Sequence, residues 1–288
     1  MTTPGPSAAY EVTTIDVEYL RHGDEPLLVR VYQPQGPGPF PALLEVHGGQ
    51  WSGGARDMDE TLNRAIAAGG IVVAAIDFRL APAHRYPAQV QDIHYGIRWL
   101  KANAARFNAD PTTVGGLGTS SGGHGIVLTA MRTLDPRYAA LPLSCAPEVD
   151  ATLRYVISCW GIVDPWARTE FARTNPRAGE GFGGAERLQH SWEGYFGDEA
   201  TMLEGSPQGI FDRGEPATLP PLLVVQGDQD FNIPYTIPQR FAECWQQADG
   251  HAQCELFAGM PHGFGRRPGP ETDRAVATIQ QFIARCLP

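Results

Sequence analysis

The chain has 288 residues and a formal net charge of −10, from 22 basic and 32 acidic side chains. A chain of this length buries a large core, and 19% charged residues beside 42% hydrophobic ones describe an ordinary folded protein rather than a disordered one. An acidic surface repels phosphate backbones and anionic headgroups, which argues against nucleic-acid and membrane partners.

The five cysteines (Cys145, Cys159, Cys244, Cys254, Cys286) are scattered, odd in number and without a CxxC pair. Neither a zinc site nor a disulfide framework is expected, and the thiols are read as reduced and mostly buried. The stretch from Met1 to Ala9 is polar and contains proline, without the basic and apolar regions of a signal peptide. No apolar run approaches the ~20 residues that a membrane span needs. A cytoplasmic location is the expectation.

Ile15, Val17 and Tyr19 alternate with Asp16 and Glu18, which predicts a strand. A turn over His22 to Pro26 and a second strand over Leu27 to Tyr32 make an antiparallel hairpin. Gln35 to Pro41 reads as a loop. Short apolar runs of strand length then follow at Ala42 to Val46, Ile71 to Ile76, Val114 to Gly118, Tyr155 to Ser158, Leu222 to Val225 and Glu255 to Phe257. Strands covered by helices on both faces read in this way. Val90, Ile93, Ile97 and Leu100 share one helix face, as do Ala275, Ile279, Phe282 and Ile283. The alternation predicts an α/β fold with a mostly parallel, doubly wound sheet of about eight strands in a single domain. Residues 164–220 break the rhythm: they are rich in Gly, Pro and aromatics, with a short helical signal over Ala185 to Tyr195, and are read as a lid-like insertion.

Gly118-Thr119-Ser120-Ser121-Gly122 is the one Gly-x-Ser-x-Gly in the chain. It lies between a predicted strand and an apolar helix (Ile126, Val127, Leu128, Met131). A sharp strand-to-helix turn exposes a serine oxygen, flanking glycines relieve crowding, and the helix N-terminus favours a developing oxyanion. His47-Gly48-Gly49-Gln50-Trp51 follows another predicted strand and can turn backbone N–H groups toward the serine. A serine hydroxyl needs a base, and the base an orienting acid. Of the two late histidines, His251 lies in a polar turn, whereas His262 lies in a loop after a strand, where ligands bind in open α/β sheets. Asp228 and Asp230 both follow the Leu222 to Val225 strand, and spacing alone leaves the acid open between them. The remaining histidines (His22, His47, His84, His94, His124, His190) lack metal-ligand spacing, and His124 is the one placed nearest the site.

Together these residues resemble the esterase/lipase group of the α/β-hydrolase superfamily, in its hormone-sensitive-lipase-like, feruloyl-esterase-like and formamidase-like branches. The resemblance runs from about Pro39 to the C-terminus. It rests on His47-Gly48-Gly49-Gln50-Trp51, Asp77-Phe78-Arg79-Leu80-Ala81-Pro82, Gly118-Thr119-Ser120-Ser121-Gly122-Gly123, Gly227-Asp228-Gln229-Asp230 with Ile233-Pro234, and Pro261-His262-Gly263-Phe264. It implies Asp230 as the acid, an oxyanion hole from the N–H groups of Gly49, Gln50 and Ser121, and an internal ion pair for Arg79. Gln50 stands where one branch has a third glycine, and Ser121 where alanine is frequent.

The resulting expectation is a serine carboxylesterase without cofactor or metal, acting on small to medium apolar or aromatic esters. Ser120 is the nucleophile, His262 the base and Asp230 the acid. Trp51, His124, Trp160, Trp166, Trp192, Tyr195 and Phe231 are candidate substrate-binding residues, and a homodimer is compatible with the resemblance. Three other readings stand beside it: an amidase, formamidase or carbamate hydrolase with the same triad, an acyltransferase or lactonase, and a non-catalytic binding protein on a hydrolase scaffold. Rates on matched ester and amide substrates, product analysis with competing alcohols, and the presence of all triad members discriminate among them.

Overall fold

The computed structural model describes residues 9–287; the polar stretch 1–8 lies outside the described residues. One sheet of eight strands runs in the order β1-β2-β4-β3-β5-β6-β7-β8. Strands β1 (Val12–His22) and β2 (Glu25–Pro34) form the expected antiparallel hairpin, and β2 joins β4 (Val72–Ile76) antiparallel. The other five, β3 (Ala42–Val46), β5 (Gly115–Thr119), β6 (Val156–Cys159), β7 (Leu222–Gly227) and β8 (Ala252–Phe257), continue parallel from β4.

Both faces of the central strands are buried, which is why their sequences are continuously apolar. Alternate residues feed two separate cores. Ala42, Leu44, Val46, Val72, Ala74 and Ile76 pack in one core with helices α2 (Ala88–Asn103), α3 (Ser121–Met131) and α9 (Thr236–Gln247). Leu43, Val73 and Ala75 pack in the other with α1 (Glu60–Ala68) and α10 (Pro270–Cys286). Val90, Ile93, Ile97 and Leu100 of α2 and Ala275, Ile279, Phe282 and Ile283 of α10 are all buried, as their spacing predicts.

The hairpin differs in detail. A register shift between Glu18 and Leu20 breaks the simple alternation. Tyr19 is buried against Tyr95 and Trp99 of α2, while Ile15, further along the edge strand, is 47% exposed. Strand β8 begins three residues earlier than its apolar run, because an edge strand tolerates polar Gln253. The thiols also depart from expectation. Only Cys159 is buried; Cys145 is exposed, and Cys244, Cys254 and Cys286 are half-buried, because they sit in a loop, on outer helices and on the edge strand. All five are unpaired.

The largest difference lies in residues 164–220. In place of one short helical signal there are five helices: α4 (Pro165–Thr174), α5 (Gly184–His190), α6 (Glu193–Phe196), α7 (Glu199–Glu204) and α8 (Pro207–Asp212). Their prolines are not breakers. Pro165 and Pro207 open α4 and α8, where the missing N–H costs nothing. Asp164, Asp198 and Ser206 cap α4, α7 and α8 by accepting the N–H of Ala167, Thr201 and Gly209.

Asp92 on α2 has a fully buried side chain. Its carboxylate accepts the Arg79 backbone N–H at 2.8 Å, Arg79 Nε at 3.0 Å and an Arg79 terminal nitrogen at 2.9 Å, and lies 2.9 Å from His22 Nε2. This is the internal ion pair that the resemblance implied for Arg79. Removing the guanidinium leaves the buried carboxylate without its arginine partner, so Arg79→Ala should lower unfolding free energy by about 3–5 kcal/mol in urea denaturation. A loss below about 1 kcal/mol would show the pair to be dispensable.

Candidate active site

The chain passes from β3 to β4 on one side and returns to β5 on the other side of β3. The carboxyl ends of β3 and β5, at a reversal of strand order, are where open α/β sheets bind ligands. Val46 pairs with Gly118 at this edge. Ser120 follows directly, between β5 and α3, with φ 52° and ψ −119°. A non-glycine residue in this region is strained. The strain is held by two hydrogen bonds: Ser120 N–H donates to Cys159 O at 3.1 Å, and Ile162 N–H donates to Ser120 O at 2.9 Å. The flanking glycines are steric necessities. A Cβ on Gly122 would lie 1.9 Å from Val46 O, and one on Gly118 2.4 Å from Gly122 O.

His262 sits in the loop after β8, with Nε2 3.0 Å from Ser120 Oγ and Nδ1 2.8 Å from Asp230 Oδ2. Asp230 follows β7. Its Oδ1 accepts the N–H groups of Asn232 and Ile233, both at 2.8 Å, and its Oδ2 accepts Gln226 Nε2 at 2.9 Å. The carboxylate is fully buried and held from several directions. Asp228, the alternative that spacing left open, instead accepts the N–H of Gly259 at 2.7 Å and so ties the β7 and β8 loops together.

The loop after β3 takes three consecutive left-handed residues: Gly49 (φ 116°), Gln50 (φ 56°) and Trp51 (φ 61°). The N–H groups of Gly49 and Gln50 donate to no protein acceptor among the described residues, and both residues line the cleft beside Ser120. Trp51 N–H donates to Ser121 Oγ at 3.1 Å, which gives the second serine of the motif an anchoring role. Trp51 Nε1 donates to His124 Nδ1 at 3.2 Å, and His124 Nε2 donates to Gly205 O at 2.8 Å. Both ring nitrogens of His124 are therefore engaged. Burial pushes its pKa down to about 4, so the ring is neutral at pH 7.

The cleft measures about 450 Å³ and is lined beside Ser120 and His262 by Gln50, Met58, Phe182, Arg187, Asn232 and Arg266. The Phe182 ring meets the His262 ring edge-on at 4.9 Å. The aromatic residues expected as walls lie elsewhere. Trp51 stacks on Tyr195 at 5.0 Å, and Trp192 packs against the same cluster. Trp160 is fully buried against Phe264. Arg173 covers Trp166, and Arg177 covers Phe231 at 3.7 Å. Tyr195 lines the neighbouring cavity of about 290 Å³. His124 is also outside the cleft lining. Large rings are most stable where they bury most area, and the helices of the insertion provide that cover. Phe182, Met58, Arg187, Asn232 and Arg266 were not singled out from sequence. Asn232 and Arg266 had a signal in their place, two residues after Asp230 and four after His262.

Beneath the serine lies a buried acidic layer. Glu45 of β3 shares the strand face of Leu43, toward α1. Asn63 Nδ2 donates to its Oε2 at 3.2 Å. Asp59, just before α1, accepts Thr119 Oγ1 at 2.7 Å and Arg266 Nε at 2.7 Å. It thus links the residue before Ser120 to the loop after His262.

Comparison with known proteins agrees with this architecture. A Pyrobaculum calidifontis esterase superposes with a TM-score of 0.76 at 24% identity, covering 95% of this chain and 85% of that one. The carboxylesterase EstE1 from a metagenomic library gives 0.74 at 21% identity, covering 96% and 90%. The fold is that of the α/β-hydrolases. The BD-FAE family model matches residues 29–244, and the chain belongs to that family. Esterase LipC of Mycobacterium tuberculosis is 31% identical over 257 residues, which are 86% of this chain and 59% of LipC. Carboxylesterase NlhH of the same species is 40% identical over 86 residues, 30% of this chain and 27% of NlhH. The chain therefore spans less than two thirds of the length of these relatives.

Burial, followed by the nearby Asp59 charge, pushes the Glu45 carboxyl well above its ordinary 4.5. The folded protein keeps a proton that the unfolded chain releases, so this group makes stability fall as pH rises above that ordinary value. Glu45→Gln mimics the protonated acid and removes the dependence. Its melting temperature relative to the native protein should rise between about pH 5 and about pH 8. A pH-independent difference would show Glu45 to be ionised in the fold.

Proposed function

We propose that this chain is a serine carboxylesterase acting on small to medium esters through an acyl-enzyme intermediate. The observation that carries the reading is the continuous hydrogen-bond chain Asp230–His262–Ser120, at 2.8 and 3.0 Å, opening on a cleft of about 450 Å³. The esterase names of LipC and NlhH support the same reaction class.

In this reading Ser120 Oγ attacks the ester carbonyl carbon while His262 Nε2 takes its proton. Asp230 fixes the proton on Nδ1 and stabilises the imidazolium. The N–H groups of Gly49, Gln50 and Ser121 receive the negative oxygen of the tetrahedral intermediate. The left-handed turn at residues 49–51 supports this role, because it frees two donors while Ser121 Oγ holds the turn through Trp51. His262 then protonates the departing alcohol, and water, deprotonated by the same imidazole, releases the acid. Residues 164–220 serve as a cap: Phe182 and Arg187, both from this segment, face the cleft. An apolar or aromatic part of the substrate would rest on Phe182 and Met58.

A fluorophosphonate probe should give one adduct on the intact protein by mass spectrometry, absent from Ser120→Ala. Hydrolysis of a short 4-nitrophenyl ester should fall roughly 10⁴-fold or more in Ser120→Ala and His262→Ala, and somewhat less in Asp230→Asn. Asp228→Asn should keep activity within a few-fold. No adduct on folded protein would sink the reading, and a larger loss from Asp228→Asn than from Asp230→Asn would move the acid.

A further inference from the structure

We propose that Arg187 binds an anionic group on the substrate, so that the preferred esters carry a carboxylate, as half-esters of short dicarboxylic acids do. The proposal rests on the esterase reading above and adds a substrate class to it. It starts from a contrast in charge. The protein is acidic overall, at −10, yet among the described residues the cleft beside Ser120 is lined by two guanidinium groups and no carboxylate. The adjoining cavity of about 290 Å³ shares Gln50, Ser52 and Arg187 with the cleft and is likewise lined by no carboxylate of the described residues.

The two arginines are not equivalent. Arg266 is committed: its Nε donates to Asp59 Oδ1 at 2.7 Å, and its charge is matched there. Arg187 forms no ion pair among the described residues. Its Nε donates to Gln50 Oε1 at 3.2 Å, which orients the guanidinium and leaves its terminal nitrogens available. That fork of parallel N–H donors matches the two oxygens of a carboxylate. The arginine also runs close along the neighbouring backbone. A Cβ on Gly183 would lie 2.7 Å from Arg187 Cδ, so the arginine lies along the turn that carries Phe182. Gln50 connects the two functions, because its side chain holds Arg187 while its backbone N–H faces the reacting oxygen in the proposed mechanism. A substrate with its ester at Ser120 and its body on Phe182 would therefore present a distal carboxylate to Arg187, at the junction of the two cavities. Asn232 and Ser52 add neutral polar groups to the same walls.

The test compares kcat/KM on 4-nitrophenyl pentanoate with that on the mono-4-nitrophenyl esters of succinic, glutaric and adipic acids. At least one charged ester should be preferred by the native protein. The charged-to-neutral ratio should fall about tenfold or more in Arg187→Gln, chiefly through KM, and recover in part in Arg187→Lys. Arg274→Gln, the same change of charge on the outer helix α10, should leave the ratio as it was. A ratio that does not favour any charged ester, or one that Arg187→Gln leaves unchanged, overturns the proposal. A second readout needs no turnover: calorimetry of monomethyl glutarate with Ser120→Ala protein, in the presence and absence of Arg187→Gln. Binding that depends on Arg187 supports the anion site even if every ester is inert, in which case the esterase reading alone fails. No binding, with no charge preference in turnover, removes the anion site while the esterase reading stands.

Discussion

The close approach of the α3 N-terminus to the end of β3 governs the rest of the candidate site. No carbon atom fits between Gly122 and Val46 O, so the turn at Ser120 is pressed against the sheet edge. That pressure accounts for the φ of 52° at Ser120, and it brings the loop at residues 47–51 within hydrogen-bond reach of Ser121. The strain is local and is offset by the packing of two cores on a sheet buried on both faces. His262 and Asp230 are then delivered by the ends of β8 and β7, which lie on the same carboxyl edge.

Much of this was legible in the sequence, because its signals are local. Continuous apolar runs such as Leu222 to Val225 mark strands with two buried faces. Gly118 and Gly122 mark a turn with no space for side chains. What spacing could not do was choose between Asp228 and Asp230. Both lie in one turn, and the difference is which carboxylate the distant His262 meets. The short helices of residues 164–220 were also hidden. Segments of four to ten residues give little periodicity, and Pro165 and Pro207, which look like breakers, start helices. Glu45 was hidden for another reason: a carboxyl in the middle of a buried strand has no sequence signature for its protonation state.

The aromatic residues show how composition misleads about a pocket. Indole and phenol rings cluster where they bury most area, and Trp51, Trp160, Trp192 and Tyr195 do so beside the cleft rather than in its wall. The lining is instead built from small and polar residues, with Phe182 and Met58 as its apolar members. Trp51, Tyr195 and Trp192 form one cluster behind the loop at residues 47–51, and polar groups stand in front of it.

The hydrogen bonds from Trp51 to His124 and from His124 to Gly205 O have a consequence for how such folds diversify. They join the loop beside Ser120, the helix behind it and the segment above it in one relay. A foreign segment grafted in place of residues 164–220 would have to bring a carbonyl to the same point in space. A graft that omitted it would leave a buried imidazole proton without an acceptor and loosen the indole that supports the turn at Gly49. The segment that carries Gly205 is thus not an interchangeable module, and recombination between relatives is constrained at one backbone oxygen.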